Sequence, residues 1–374
     1  MKRKYHSNDR GALAHQNLMQ LRDTERIIGI ITEDQFQPAS LDLTLSSEAY
    51  EVPGILLPTK KETVRDVLVS LGNEKKISLD QPLEIGKTYL IRLNQKLKLP
   101  SDVYGYSNPK SSTGRVDVHV RLLSDGVPRF DGVSKGYQGE IWISVIPKSF
   151  RVIVKEGLSL CQIRLFNADT RLRGFEFEAL NKSEKLIWDQ HTERPVPSSE
   201  VNTYDGDGSV ILSLDLGNGI GFQALTTEDV LDMSMKNHDP ENFFKRVCAE
   251  TNQLHLQNRK FYILSTCEGI RIPPNLASEI APMDERCGEF RSHYAGFFDP
   301  GWGWGNNGEG TGDTATLEVR PFENIIIRHR DPVCRFKFER MIDPPKVTYG
   351  NTGVNHYGGQ RGARLSKHFL PWKD

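Results

Sequence analysis

Leu83-Glu-Ile-Gly-Lys-Thr-Tyr-Leu-Ile91 and Leu256-Gln-Asn-Arg-Lys-Phe-Tyr-Ile-Leu264 are the two segments on which the fold turns. Each passes from a polar turn through a lysine into an aromatic and aliphatic strand. Upstream, Pro38-Ala-Ser-Leu-Asp-Leu43 is matched by Ile211-Leu-Ser-Leu-Asp-Leu216. Downstream, Lys98-Leu-Pro100 is matched by Arg271-Ile-Pro273. Each copy then reaches a polar loop with an arginine (Arg115, Arg286), an aspartate (Asp131, Asp299) and a strand (Glu140–Ile146, Ala315–Arg320). Short apolar words recur by accident in β-proteins. Here the same words come in the same order over the same distance, which implies two copies of one β-fold.

The rest of the chain agrees. Ser40–Leu45, Thr88–Leu93, Phe150–Lys155 and Gln162–Phe166 are rich in β-branched and aromatic residues and are separated by Gly, Pro, Asn and Asp. That pattern predicts an all-β sandwich or barrel of short strands. Helical candidates are few: Leu18–Ile27, Thr63–Leu71 and Glu241–Glu250. A charged, Pro/Ser-containing stretch at Asn181–Asn202 separates the copies, giving domains 1–190 and 191–374.

Composition narrows the function. Lys and Arg number 48 against 49 Asp and Glu, for a net charge of −1. There is no global basic excess to hold a nucleic-acid polymer, although local Arg and Lys can still bind a small anion. The five cysteines, at 161, 248, 267, 287 and 334, form no C-x-x-C pair. Their spacing argues against a disulfide framework and against zinc held by cysteine pairs. No run approaches the roughly 20 apolar residues of a membrane span. The basic N-terminus has no apolar segment behind it, and a cytoplasmic, reducing setting is expected.

Three segments resemble the dCTP deaminase branch of the dUTPase-like superfamily, in its long two-repeat form. Asn108-Pro-Lys-Ser-Ser-Thr-Gly-Arg115 is similar to the family's triphosphate loop. His293-Tyr-Ala-Gly-Phe-Phe-Asp-Pro-Gly-Trp302, with Ala315-Thr-Leu-Glu318-Val, is similar to its A-x-x-x-D-P-G-W…L-E segment, whose Glu is the catalytic base. Tyr349 with His356-Tyr-Gly-Gly-Gln-Arg-Gly-Ala363 resembles the tail that folds over the nucleotide, with His356 where the family usually has lysine. The resemblance implies two tandem dUTPase-like distorted, jelly-roll-like β-barrels with a few short helices. It also implies hydrolytic deamination of dCTP, with dUTP or, in a bifunctional variant, dUMP as product.

On this reading Glu318 is the catalytic group. Lys110, Ser111, Ser112, Arg115, Arg286, Ala295, Asp299, Tyr349, His356 and Gln360 bind the nucleotide. Deamination at C4 needs a group that takes a proton from water and passes one to the leaving ammonia, and a carboxylate does both. Glu318 lies between Leu317 and Val319, so its side chain points away from theirs. Burial there would raise its pKa and favour proton uptake. The commoner fate of a strand Glu is exposure. Arg offers a fork of donors to phosphate and Lys a point charge, though such a loop is also an ordinary solvated turn. Mg²⁺ is expected with the triphosphate, held by phosphate oxygens and water. The H-x-E…P-C-x-x-C signature of zinc deaminases is absent, and no zinc and no metal-ligating residue are expected.

The two copies divide the motif. The first keeps the serine pair but has Ser144 where Glu is expected; the second keeps Glu318 but reads Ala281-Pro-Met-Asp-Glu285 at the phosphate loop. A homo-oligomer with composite sites between first-type and second-type domains would reconcile these losses. A non-catalytic deoxynucleotide sensor is the reading from another class. Residues 1–20 are expected to form a partly ordered extension, and Gly303–Asp313 a surface excursion.

Overall fold

The computed structural model describes residues 10–72, 75–203, 207–217, 221–249, 252–281, 283, 296–350 and 357–373. The chain forms two compact units, and neither is one continuous stretch. The first takes residues up to Ala168 together with Thr226–Phe243 and the segment from Ser366 onward. The second takes Asp169–Leu225 and Phe244–Leu365.

In the first unit a nine-stranded sheet runs Val118–Ser124, Gln138–Pro147, Thr88–Lys98, Leu41–Val52, Ser159–Phe166, Tyr104–Pro109, Gly132–Val133, with two short strands at its margins. Its neighbours pair antiparallel. The long strand Thr88–Lys98 shifts register against both neighbours, near Leu45/Ala49 on one side and Arg92/Lys96 on the other. Bulges bend a strand and increase its twist, which curls a sheet toward a barrel. The interrupted ladder leaves backbone groups to satisfy. Asn94 Nδ2 donates to Leu45 O at 2.8 Å. The buried Gln95 accepts from Thr44 N at 2.9 Å and donates to Ile30 O at 2.9 Å.

The second unit repeats this plan. Tyr262–Ile270 pairs with Asp313–Val319, Gly221–Ala224 and Ile187–Asp189. A four-stranded sheet runs Val210–Ser213, Pro332–Arg340, Leu276–Ala281, Phe297–Phe298. Tyr262–Ile270 also carries a register shift, between Ser265 and Gly269. With Tyr89 matched to Tyr262, the two shifts fall at the same place in both copies. The tyrosines behave alike too. Tyr89 Oη accepts from Glu84 N and Tyr262 Oη from Gln257 N, both at 2.9 Å and both five residues back. A shared hydrogen-bonded corner is stronger support for duplication than shared apolar words.

Several expectations need correction. Glu241–Glu250 is not a helix: Pro240–Asn242 is one 3₁₀ turn and Phe244–Val247 a strand paired to Gly221–Ala224. Burial of Phe244 against that partner overrides its local propensity. A helix not anticipated, Gly174–Glu184, buries only Phe177 and Asn181, so its apolar stripe is faint. The helices His15–Asp23 and Val64–Leu71 match the other two candidates within a few residues. Ala12, Leu13 and Ala14 are buried, so the described part of the N-terminal stretch is built into the first unit. In Gly303–Asp313, Gly305–Asn307 and Glu309 are exposed, and the rest is partly or fully buried. Gly310 N donates to Trp304 O at 2.8 Å, and the Arg271 guanidinium lies 4.4 Å from the Trp304 ring.

The late segments of the first unit are held by packing. Val230–Asp232 pairs parallel with Arg151–Ile153, and Phe243 stands 5.2 Å from Phe150 and 5.5 Å from Phe369, centre to centre. Phe369→Ala should therefore cost about 3 kcal/mol of first-unit stability. Urea unfolding of the full chain should show the loss in that unit's transition, despite the residue's place near the far end of the chain.

Candidate functional site

Alternation decides what Asp313–Val319 presents. Ala315, Leu317 and Val319 enter the apolar core of the second unit. Thr314, Thr316 and Glu318 therefore face the other way. Glu318 is nonetheless 5% exposed. Gln360 lies along this face: its Nε2 donates to Thr316 Oγ1 at 2.6 Å and to Thr314 O at 3.2 Å. Gly359 N donates to Asp313 Oδ2 at 2.9 Å, and Arg361 reaches Gly312 O at 2.8 Å. The tail thus reads the strand two and four residues before Glu318.

The Asp299–Trp302 turn holds the other end of the tail. Trp302 N donates to Asp299 O at 3.1 Å, and Tyr349 N to Pro300 O at 2.7 Å. Gly301 has φ +100°, and a Cβ there would lie 2.8 Å from Tyr349 N. Glycine is needed for both the conformation and the approach. The Trp302 and Tyr349 rings pack at 4.9 Å, and Tyr357 N donates to Tyr349 Oη at 3.2 Å. Glu318, Asp299, Tyr349 and Gln360 all belong to the second unit. Arg286, Ala295 and His356 lie outside the described residues.

The register aligns the copies. Glu318 stands opposite Ile263 and Ser144 opposite Leu90, and Ile263 and Leu90 are themselves matched by the repeat. Ser144 thus occupies the position of Glu318. It is fully buried, with Oγ 3.4 Å from Arg121 O. Nearby, Asp131 is committed to structure: it accepts from Arg121 Nη1 at 2.6 Å and from Leu122 N at 2.8 Å. Burial raises the Asp131 pKa while Arg121 opposes the rise.

The polar loop belongs to the first unit. It leaves strand Tyr104–Pro109, makes one helical turn at Ser111–Gly114, and is pinned where Lys110 N donates to Leu160 O at 3.0 Å. Ser112 and Arg115 are buried, and Lys110 is ion-paired with Asp42. The structure thus groups Lys110, Ser111, Ser112 and Arg115 in one unit and Glu318, Asp299, Tyr349 and Gln360 in the other.

Sequence reasoning stopped at Ala363 and missed the residues beyond it. Ser366 Oγ donates to Ser112 O at 2.8 Å in buried surroundings. Half-buried Lys367 is pushed down to about 8 by burial, helped by the charges of Lys110 and Lys236 and opposed by Asp42. The signal was Arg364-Leu-Ser-Lys-His, a basic run beyond the glycines. Three lysines against one aspartate make a region suited to an anion. A separate cavity of about 950 Å³ in the second unit, lined in part by Asp189, Arg194, Glu268 and Arg330, includes none of the residues selected from sequence.

Residues 9–169 match the 2'-deoxycytidine 5'-triphosphate deaminase N-terminal domain, and residues 177–369 its C-terminal domain. A crystal structure of 2'-deoxycytidine 5'-triphosphate deaminase from Agrobacterium tumefaciens is similar at TM-score 0.83 and 34% identity, covering 93% of this chain and 99% of that one. A protein of Persephonella marina named "dCTP deaminase, dUMP-forming" is 28% identical over 160 residues, 42% of this chain and 82% of that protein.

An anion beside Lys367 stabilises its charged form, so binding takes up a proton when the free lysine is neutral. With tripolyphosphate as probe, affinity should weaken as pH rises through about 8. Calorimetry on Lys367→Met should show weaker binding and a flatter pH profile; an unchanged profile would exclude Lys367 from the anion's surroundings.

Proposed function

The chain belongs to the 2'-deoxycytidine 5'-triphosphate deaminase family, and on that footing we propose that it catalyses dCTP + H₂O → dUTP + NH₃. This is hydrolysis of a C–N bond in a cyclic amidine. Glu318 takes a proton from water as the oxygen attacks C4 and returns a proton to the departing nitrogen. The observation that carries this reading is the setting of Glu318: a nearly buried carboxylate on the face away from the core, on the strand that the tail residue Gln360 clasps. A positioned general base of this kind supplies about 10²–10⁴ in rate.

Lys110, Ser111, Ser112 and Arg115 hold the triphosphate, which brings its own Mg²⁺ as part of the substrate. Asp299, Tyr349 and Gln360, with Arg286, Ala295 and His356, surround the nucleoside. Tail closure excludes water other than the nucleophile. Each copy retains the half of the motif that the other has lost. A homo-oligomer in which first-type and second-type domains serve one reaction together accounts for this.

One observation favours a second product. The Persephonella marina relative is named dUMP-forming. A bifunctional enzyme would also split the α–β phosphoanhydride and release dUMP and diphosphate.

One assay separates these readings: purified protein with dCTP and Mg²⁺, products resolved by ion exchange. Accumulating dUTP supports the first reading and dUMP the second. Binding of dCTP without turnover would replace both with a nucleotide sensor. Glu318→Gln should lower kcat by about 10²–10⁴ with dCTP still bound. Arg115→Ala should abolish turnover, and Ser144→Ala should leave it nearly unchanged. Full activity in Arg115→Ala would defeat the shared-site scheme.

A further inference from the structure

Four side chains distant in sequence converge in the second unit: His191, Asp215, Cys267 and His329. Each offers one donor atom, and these atoms all lie within 4.8 Å of one another. His191 Nε2 is 3.1 Å from Asp215 Oδ1, His329 Nδ1 is 3.7 Å from the same oxygen, and Cys267 Sγ is 3.9 Å from His329 Nδ1. A four-coordinate zinc with bonds of about 2.0–2.3 Å has ligand–ligand edges of about 3.3–3.6 Å. The three separations bracket that range.

We propose that these four residues bind a zinc-class divalent ion in a closed, structural site. Two imidazoles, a carboxylate and a thiolate form the mixed donor set that suits zinc, whereas Mg²⁺ and Ca²⁺ take oxygen. The donors come from four places in the fold. His191 follows strand Ile187–Asp189, and Asp215 follows Val210–Ser213. Cys267 sits in the bulge of Tyr262–Ile270, and His329 in the turn between Ile325–Arg328 and Pro332–Arg340. An ion here ties together four segments. The fold makes room for the rings: a Cβ on Gly217 would lie 3.1 Å from His191 Cε1 and 3.3 Å from His329 Cε1. Without it the two imidazoles stand edge to face at 5.2 Å.

Existing contacts rearrange simply. Cys267 Sγ now donates to Leu214 O at 3.2 Å, and on binding its proton passes to solvent. The bond from Leu216 N to His329 Nδ1, at 3.0 Å, must yield. Gly217 N can keep donating to Asp215 Oδ1 and orient the carboxylate. The set is private to the second unit. Asn94 holds the place of Cys267 in the first copy, and Asp42, matching Asp215, is paired with Lys110.

Cobalt(II) is the probe, titrated into chelator-stripped full-length protein. One cobalt per chain should bind, with the intense visible bands of a four-coordinate ion and a near-ultraviolet thiolate charge-transfer band. Cys267→Ser should remove the charge-transfer band. Cys248→Ser, at an exposed cysteine, should leave it intact. His191→Ala, at a partly exposed position that need not disturb the core, should weaken cobalt binding by more than about tenfold. No cobalt bound by the folded protein, a band that survives Cys267→Ser, or one lost in Cys248→Ser would each overturn the assignment. None of these readouts depends on deamination.

Discussion

A strand that bends must give up part of its hydrogen-bonded ladder, and the polar groups so released must find partners. Both copies meet this demand within the same bulge of the same strand, where Gln95 and Glu268 hold matched positions. In the first, Asn94 and Gln95 supply side-chain bonds where Thr88–Lys98 slips past its neighbours. In the second, Thr266 Oγ1 accepts from Ala315 N at 3.0 Å and Glu268 accepts from Ser213 N at 2.8 Å. The bend sets how the adjoining strand is presented. That strand carries Ser144 in one copy and Glu318 in the other. The side chains that repair the bulge therefore also fix the pose of that position.

Much of this was legible before any coordinates. Period-two alternation around Leu317, Glu318 and Val319 predicts that the carboxylate points away from the core. The matched tyrosines locate the duplication without reference to their shared hydrogen bond. What escaped was what tertiary contacts decide. Glu241–Glu250 has the composition of a short helix, but within it Phe244–Val247 becomes a strand paired to Gly221–Ala224, with Phe244 buried. Residues 226–243 belong by sequence to the second half and by packing to the first unit, and no local pattern encodes that. Lys367 is one lysine among many until burial and two lysine neighbours change its acidity. The convergence of His191, Asp215, Cys267 and His329 has no linear signature, because each comes from a different turn or bulge.

Duplication lets two sites diverge under one set of packing rules. Where Glu318 keeps a carboxylate, Ser144 keeps only a hydroxyl directed at a backbone carbonyl, and the neighbouring Asp131 is bound to Arg121. The first copy holds a buried hydroxyl and an ion-paired aspartate at these positions and keeps its polar loop. The second has kept its acid and its tail. A duplicated barrel tolerates this because the core needs only the alternate apolar face of each strand, leaving the opposite face open to change.

The composition of the first unit bears on how the protein is made. Its sheet is complete by residue 168, yet Ser366, His368 and Phe369 are buried in the same unit. At about 5–20 residues per second, the ribosome delivers those residues roughly 10–40 s after the sheet. During that interval the nascent unit lacks the ring that packs against His238 and Phe243. A chaperone that shields apolar surface, or a pause that holds the chain near the exit tunnel, would act on this waiting intermediate. Of the two units, the one begun first is the last to be finished.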